Sequence, residues 1–219
     1  DIAFFAPELK SWKKEAILTG NFIGTVTDFK VTGFNARIGT TTAVNGTLAM
    51  KGLPEIDKTI ISFNNGSVQT NVYDLSVFVP ALGKLEQPNL AALGQILYRG
   101  SYNGTIHRFR TSGILSTKLG GLKADISMKL PAYGEPVYDG NIEAIRFNAG
   151  KFLSVDDLGA VDFKGKVTGS SFNINRLKTQ LNGIASSIEY NNYKYTNITA
   201  NGTVQKKYFN GELEINDPN

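Results

Sequence analysis

The chain carries one histidine, His107, set between Ile106 and Arg108 with no acidic residue beside it. A single imidazole cannot assemble a metal cluster, and alternation along the strand predicted there places it on the surface face. No Gly-x-Ser-x-Gly elbow, phosphate-binding loop or His-Glu-x-x-His helix occurs in the sequence. Cysteine is absent, which excludes disulfides, thiolate metal sites and a cysteine nucleophile. Asp156-Asp157 is the one adjacent acidic pair. A retaining glycosidase needs two carboxyls about 5 Å apart across a cleft, whereas this pair precedes Leu158-Gly159 in a predicted turn. These residues point to no enzyme, no metal and no cofactor.

Charge adds a second exclusion. The net charge is +4 at pH 7, and the lysines occur in pairs, such as Lys13-Lys14 and Lys206-Lys207, never in runs. A nucleic-acid binder concentrates cations on one stripe interleaved with aromatics, so no nucleic-acid partner is expected. No window approaches the ~18 uninterrupted apolar residues of a membrane span. The chain opens at Asp1-Ile2 without an initiator Met or secretory signal, and both ends read as cut from something longer.

The elements that would position any site are marked by a repeat. Leu18, Gly20, Phe22, Gly24 and Val26 alternate apolar residue and glycine at a spacing of two. Tyr98, Gly100, Tyr102, Gly104 and Ile106 do the same, and so do Phe163, Gly165, Val167 and Gly169. A period of two places each series on one face of a strand, and self-similarity over tens of residues signals a built-up β-array. After the first copy come Met50-Lys51, Leu53-Pro54, Ile61, Phe63-Asn64 and Gly66; after the second come Met128-Lys129, Leu130-Pro131, Ile145, Phe147-Asn148 and Gly150.

The pattern predicts an all-β chain, a mainly antiparallel repeated meander with short helices, curved into a groove with an apolar interior. Residues 1–15 read as a short helix opened by Pro7-Glu8 and bearing Trp12. Residues 16–95 form the first β-repeat, with strands over Ala16–Asp28, Thr40–Met50, Thr59–Phe63 and Val68–Tyr73 and a helical connection over Pro80–Gly94 capped by Asn89. Residues 96–158 form the second repeat and 159–219 the third, all in one continuous unit. Asn45-Gly46, Asn65-Gly66, Asn103-Gly104, Gly120-Gly121, Asp139-Gly140, Asn182-Gly183, Asn191-Asn192, Asn201-Gly202 and Asn210-Gly211 are predicted turns. The Asn-x-Thr/Ser matches at Asn45, Asn65, Asn103, Asn197 and Asn201 are then turn chemistry, not glycan acceptors. Glycine at alternate positions leaves no side chain to fill the interior and permits curvature. Leu18, Phe22, Val26, Tyr98, Tyr102, Ile106, Phe163 and Val167 are therefore the candidate lining of a groove able to hold an extended acyl chain.

Several segments together resemble a known family. They are Asp1-Ile-Ala-Phe-Phe-Ala-Pro-Glu-Leu, Leu18-Thr-Gly-x-Phe-x-Gly-Thr-Val, Met50-Lys-Gly-Leu-Pro-Glu-Ile, Pro88-Asn-Leu-Ala-Ala-Leu-Gly, Phe152-Leu, Phe163-x-Gly-x-Val-x-Gly, Tyr195-Thr-Asn-Ile-Thr-Ala-Asn-Gly-Thr and the closing Phe209-Asn-Gly-x-Leu-x-Ile-Asn-Asp-Pro-Asn. In this order they resemble the TamB-like translocation and assembly module proteins of Bacteroidetes, relatives of the AsmA-like proteins. The resemblance implies an internal periplasmic segment of a long envelope protein of a Gram-negative bacterium. It implies inner-membrane anchoring and contact with an outer-membrane insertase-type β-barrel through parts absent from this chain. It also implies a taco-shaped β-groove that takes phospholipid acyl chains between the membranes or assists outer-membrane protein assembly, without catalytic residues. The competing expectation is a rigid β-rich binding or spacer module, glycan-binding or adhesin-like, that stacks ligands on Tyr133, Tyr190, Tyr193 and Tyr195. In either case the bare edge strands leave two alternatives, a sheet that closes on itself or one that stacks with copies of itself.

Overall fold

The computed structural model describes residues 16–78, 82, 85 and 87–218. The helix expected over 1–15, with Trp12, lies outside them. Among the described residues there are twelve strands in three groups of four. The first group is β1 (Ala16–Thr25), β2 (Asp28–Ile38), β3 (Thr42–Lys51) and β4 (Ile60–Asn71). The second is β5 (Gln95–Thr105), β6 (Arg108–Thr117), β7 (Gly120–Lys129) and β8 (Val137–Asn148). The third is β9 (Leu158–Ser170), β10 (Lys178–Tyr190), β11 (Tyr193–Gln205) and β12 (Tyr208–Ile215). All twelve form one antiparallel sheet in sequence order, open and weakly curved, with β1 and β12 at its edges. The expectation of an all-β antiparallel meander with short helices holds. No helix among the described residues is long and apolar enough to cross a membrane.

The strands run 8 to 13 residues, and β4 joins the two strands expected over Thr59–Phe63 and Val68–Tyr73. Asn45-Gly46, Asn65-Gly66, Asn103-Gly104, Gly120-Gly121, Asp139-Gly140, Asn182-Gly183, Asn201-Gly202 and Asn210-Gly211 sit inside strands, so their reading as turns is corrected, as is the turn reading of the Asn-x-Thr matches. Asn65, at the register shift between Phe63 and Gly66, and Asn197 both take left-handed backbone, at φ 48° and 50°. The true reversals include Val26-Thr27, Ile106-His107, Asn191-Asn192 and Lys206-Lys207. Asp28–Ile38, which the strand predictions passed over, is β2.

Two short helices follow the fourth strands of the first and second groups: α1 (Val72–Phe78) and α2 (Ala149–Leu153). A 3-10 turn at Leu90–Leu93 precedes β5. The Asn89 side chain caps that turn by accepting from Ala92 N at 3.2 Å, and Asn148 caps α2 by accepting from Lys151 N at 2.8 Å. Asn89 N donates to Phe152 O at 2.8 Å, which ties the two pieces together. They cover one end of the sheet, where Leu93, Ile96, Leu119, Ala144 and Phe147 form the buried cluster. α1 is anchored by the buried Asp74 carboxylate, which accepts from Thr42 Oγ1 at 2.7 Å and from Thr41. The Thr42 and Thr70 hydroxyls meet at 2.9 Å beside it, so this polar cluster is satisfied internally.

Candidate functional site

Pairing register, followed from strand to strand, sorts the side chains onto two faces. One row across the sheet reads Leu18, Ala36, Val44, Val68, Tyr98, Leu115, Leu122, Ala144, Phe163, Ala185, Ile198 and Ile215. The row two residues along each strand is of small residues over much of its length: Gly66, Gly100, Gly113, Ala124, Ile142, Gly165, Gly183, Ala200 and Leu213. The next runs Phe22, Val31, Leu48, Phe63, Tyr102, Thr111, Ile126, Gly140, Val167, Leu181, Gly202 and Gly211. A fourth begins Gly24, Phe29, Met50, Ile61, Gly104 and ends Val204, Phe209. No charged residue occupies any of these rows.

The three glycine-spaced series thus fall into register, four strands apart. Leu18, Tyr98 and Phe163 share a row, as do Phe22, Tyr102 and Val167. Met50 and Met128 also occupy equivalent positions on β3 and β7, both paired to Phe29 or Phe109. The second half of the sequence match does not survive. Phe63 pairs with Tyr102, whereas Phe147 lies beyond the β8 bulge at the helix-covered end, so the two Phe-Asn pairs are not equivalent. Of the eight candidate lining residues, six lie on the apolar face. Val26 and Ile106 lie in the tight turns after β1 and β5.

The glycines do not leave gaps. A Cβ at Gly165 or Gly183 would meet Phe163 Cζ at 2.7 or 2.9 Å, and one at Gly100 or Gly113 would meet Tyr98 Oη at 2.6 Å or Cε2 at 2.9 Å. The Phe63 ring lies over Gly46 and Gly66 in the same way. Each glycine pair is a bed for a ring lying flat along the sheet, the side-chain cover by which aromatics stabilise strand glycines. The sequence-based picture of open slots between aromatics is corrected accordingly. Phe22 stacks on Phe29 at 5.0 Å and Tyr102 on Phe109 at 4.7 Å, at equivalent places in two repeats.

The tyrosine hydroxyls are satisfied within the strands, which leaves carbon outward. Tyr98 Oη lies 2.7 Å from both Ser101 O and Thr111 Oγ1, and Tyr102 Oη donates to Thr105 O at 2.8 Å. Burial pushes the Tyr102 hydroxyl up to about 12 and raises those of Tyr98 and Tyr138 as well. All three are neutral at ordinary pH.

The opposite face is polar. Arg110 forms a two-pronged pair with Asp125 at 3.0 and 2.9 Å, which raises the guanidinium and lowers the carboxylate pKa. Lys51–Asp28, Lys164–Glu143 and Lys166–Asp139 pair across neighbouring strands, and Asn35 Nδ2 donates to Asn45 Oδ1 at 2.6 Å. Apolar residues on this side, such as Ile17, Ile114 and Ile184, are isolated.

The residues first considered for chemistry are dispersed. His107 sits in the β5–β6 turn, not inside a strand. Its Nδ1 lies 3.1 Å from Leu130 O and its Nε2 3.2 Å from the Asp57 carboxylate, so it pins the β3–β4 and β7–β8 loops. Asp156 and Asp157 border a polar cleft of about 380 Å³ with Glu189, Asn191, Asn192 and Tyr193. Glu189 there accepts from Ala160 N at 3.0 Å. Among the described residues no group of three potential ligands could hold a metal. Tyr193 and Tyr195 meet edge to face at 4.6 Å near Tyr190, while Tyr133, 95% exposed, projects from the β7–β8 loop at the other end of the strands. The four tyrosines do not form one platform.

Comparison of the chain with models of protein families, with curated proteins and with solved structures returned no match in any of the three.

Proposed function

We propose that the uncharged face is a non-enzymatic surface for phospholipid acyl chains, in a periplasmic segment of a TamB-like protein that carries lipid between inner and outer membranes or assists outer-membrane protein assembly. The observation that carries this reading is the set of rows crossing the sheet without one charged residue, backed by a polar face, covered by helices at one end and by the β9–β10 loop, through Phe172 on Tyr138, at the other, and exposed at the edge strands. Twelve strands at ~4.8 Å spacing extend roughly 50 Å. A lipid tail occupies about half of a ~30 Å hydrocarbon core, so it would lie across three or four strands, the width of one repeat. Apolar contact at ~25 cal/mol per Å² holds a chain along such a surface. Rows of similar character let it pass from repeat to repeat without a deep trap. The flat rings over glycine suit this role, since they present smooth carbon with their hydroxyls already bonded.

The test uses adjacent residues on opposite faces. Protein purified from a Gram-negative host is expected to retain lipid in native mass spectra. Ile126→Lys should lower lipid occupancy at least about tenfold, a difference of roughly 1.4 kcal/mol in binding. Ser127→Lys, on the polar face, should leave occupancy unchanged. Absence of lipid from the wild-type protein, or equal effects of the two substitutions in folded variants, would overturn the reading.

A further inference from the structure

The sheet contains two junctions at which a fourth strand meets the first strand of the following group, β4 with β5 and β8 with β9. Both are antiparallel and both keep the rows in line. Val68 faces Tyr98 and Ala144 faces Phe163; Ile61 faces Gly104 and Tyr138 faces Gly169. A large side chain on the fourth strand lies opposite the last glycine of the first strand in each case. Among the described residues the sheet's edges are the same two strand types: β12 is a fourth strand and β1 a first strand. Their apolar-face residues are exposed, with Leu18 at 50%, Phe22 at 54% and Leu213 at 51%.

We propose that β12 of one chain pairs antiparallel with β1 of a second copy, in the register that continues the rows. Ile215 then faces Leu18, Gly211 faces Phe22 and Phe209 faces Gly24. The last pair reproduces Ile61–Gly104 and Tyr138–Gly169, a bulky residue over a glycine. The two copies are related by a translation along the sheet, so the contact is head-to-tail and open-ended. β1 has no charged residue and no proline, and β12, whose charges are Glu212 and Glu214 on the polar face, has no lysine and no proline. The register sets Glu212 and Glu214 of β12 opposite the uncharged Asn21 and Thr19 of β1, so no like charges meet across the seam. In the joined sheet the apolar rows run unbroken through both copies.

The chain lacks cysteine, so introduced thiols report cleanly. The register places Asn21 of one copy opposite Glu212 of the other. Oxidation of a mixture of Asn21→Cys and Glu212→Cys chains should give cross-linked heterodimer at least about tenfold above either variant alone, since disulfides need Cα atoms within ~7 Å. A mixture of Thr19→Cys and Glu212→Cys, slipped by two residues, should cross-link far less. In sedimentation the wild-type chain should associate with rising concentration. Phe22→Lys and Leu213→Lys, each placing a charge on one edge, should move that association to at least about tenfold higher concentration while the circular dichroism stays unchanged. A wild-type chain monomeric throughout, predominance of same-variant cross-links, or equal cross-linking in the slipped register would each overturn the proposal.

Discussion

The same apolar rows behave differently at their two kinds of location. Around β5 to β9 the row through Tyr98, Leu115, Leu122 and Ala144 meets the short helices, and Ala144 and Phe147 are 8% and 5% exposed. At the edges, Leu18 and Ile215 in the same row are 50% and 42% exposed. Residue type is alike in the two regions, so burial is decided by what lies above and beside each position. Where a helix covers the face it becomes core. Away from the helices the same face is also buried at Val31, Phe63, Val167, Ala185 and Ile198, and it stays open to solvent at the edge strands, a costly arrangement for a water-facing sheet unless something apolar occupies it.

The most direct way to break this comparison is to truncate one ring in each region. Phe147 packs edge to face with Phe152 at 5.5 Å inside the covered cluster. Phe147→Ala should cost about 3–5 kcal/mol in chemical denaturation, as buried Phe deletions do. Phe22→Ala, at a position 54% exposed with its ring on Phe29, should cost about 1 kcal/mol or less, the range of an exposed aromatic contact. Equal losses would mean that the covered end does not dominate stability.

Much of the fold was legible because strand alternation is a local property. The Gly-spaced series fixed a β-array, its repetition, and six of eight face assignments. What was misread came from applying a rule outside its context. Asn-Gly favours a tight hairpin when nothing else competes. In this sheet the glycine of Asn103-Gly104 or Asn182-Gly183 faces the apolar side, where a neighbouring strand or ring leaves no room for a side chain, and the asparagine faces water. The need for glycine was visible, but its cause lay on another strand. α2 was equally hidden, since Ala149–Leu153 is short and its cap, Asn148, closes a strand that runs straight into it. The opposition of the two faces likewise required the register, which no single strand contains.

A smaller effect separates glycines that bear a ring from one that does not. At Gly165 a Cβ would meet Phe163 Cζ and Gly183 Cα, both at 2.7 Å, whereas at Gly33 nothing lies within 4 Å. Gly165→Ala should destabilise by about 1–3 kcal/mol through overpacking and should alter the near-ultraviolet signal of the displaced ring. Gly33→Ala, which pays only for a left-handed backbone at φ 60°, should cost about 1 kcal/mol and leave that signal intact. If both variants lose the same stability, the rings do not depend on the glycine beds.

Tyr102 sharpens the comparison least in energy and most in detail, because its ring belongs to the apolar face while its hydroxyl is spent on Thr105 O. Tyr102→Phe should lower stability by about 1 kcal/mol at neutral pH, the usual net worth of one hydrogen bond. The pH dependence is more specific. Burial holds the folded-state pKa at about 12, above the unfolded value near 10, so the unfolded chain loses its proton first. The stabilising difference is therefore complete below about pH 10 and falls away as pH rises toward 12. Denaturation midpoints of the wild-type protein should decline through that window more steeply than those of Tyr102→Phe. Tyr98 and Tyr138 are raised in the same direction and supply the remaining slope. Parallel curves for the two proteins would place the Tyr102 ring in water, and with it the row from Phe22 to Val167 that forms the middle of the proposed lipid surface.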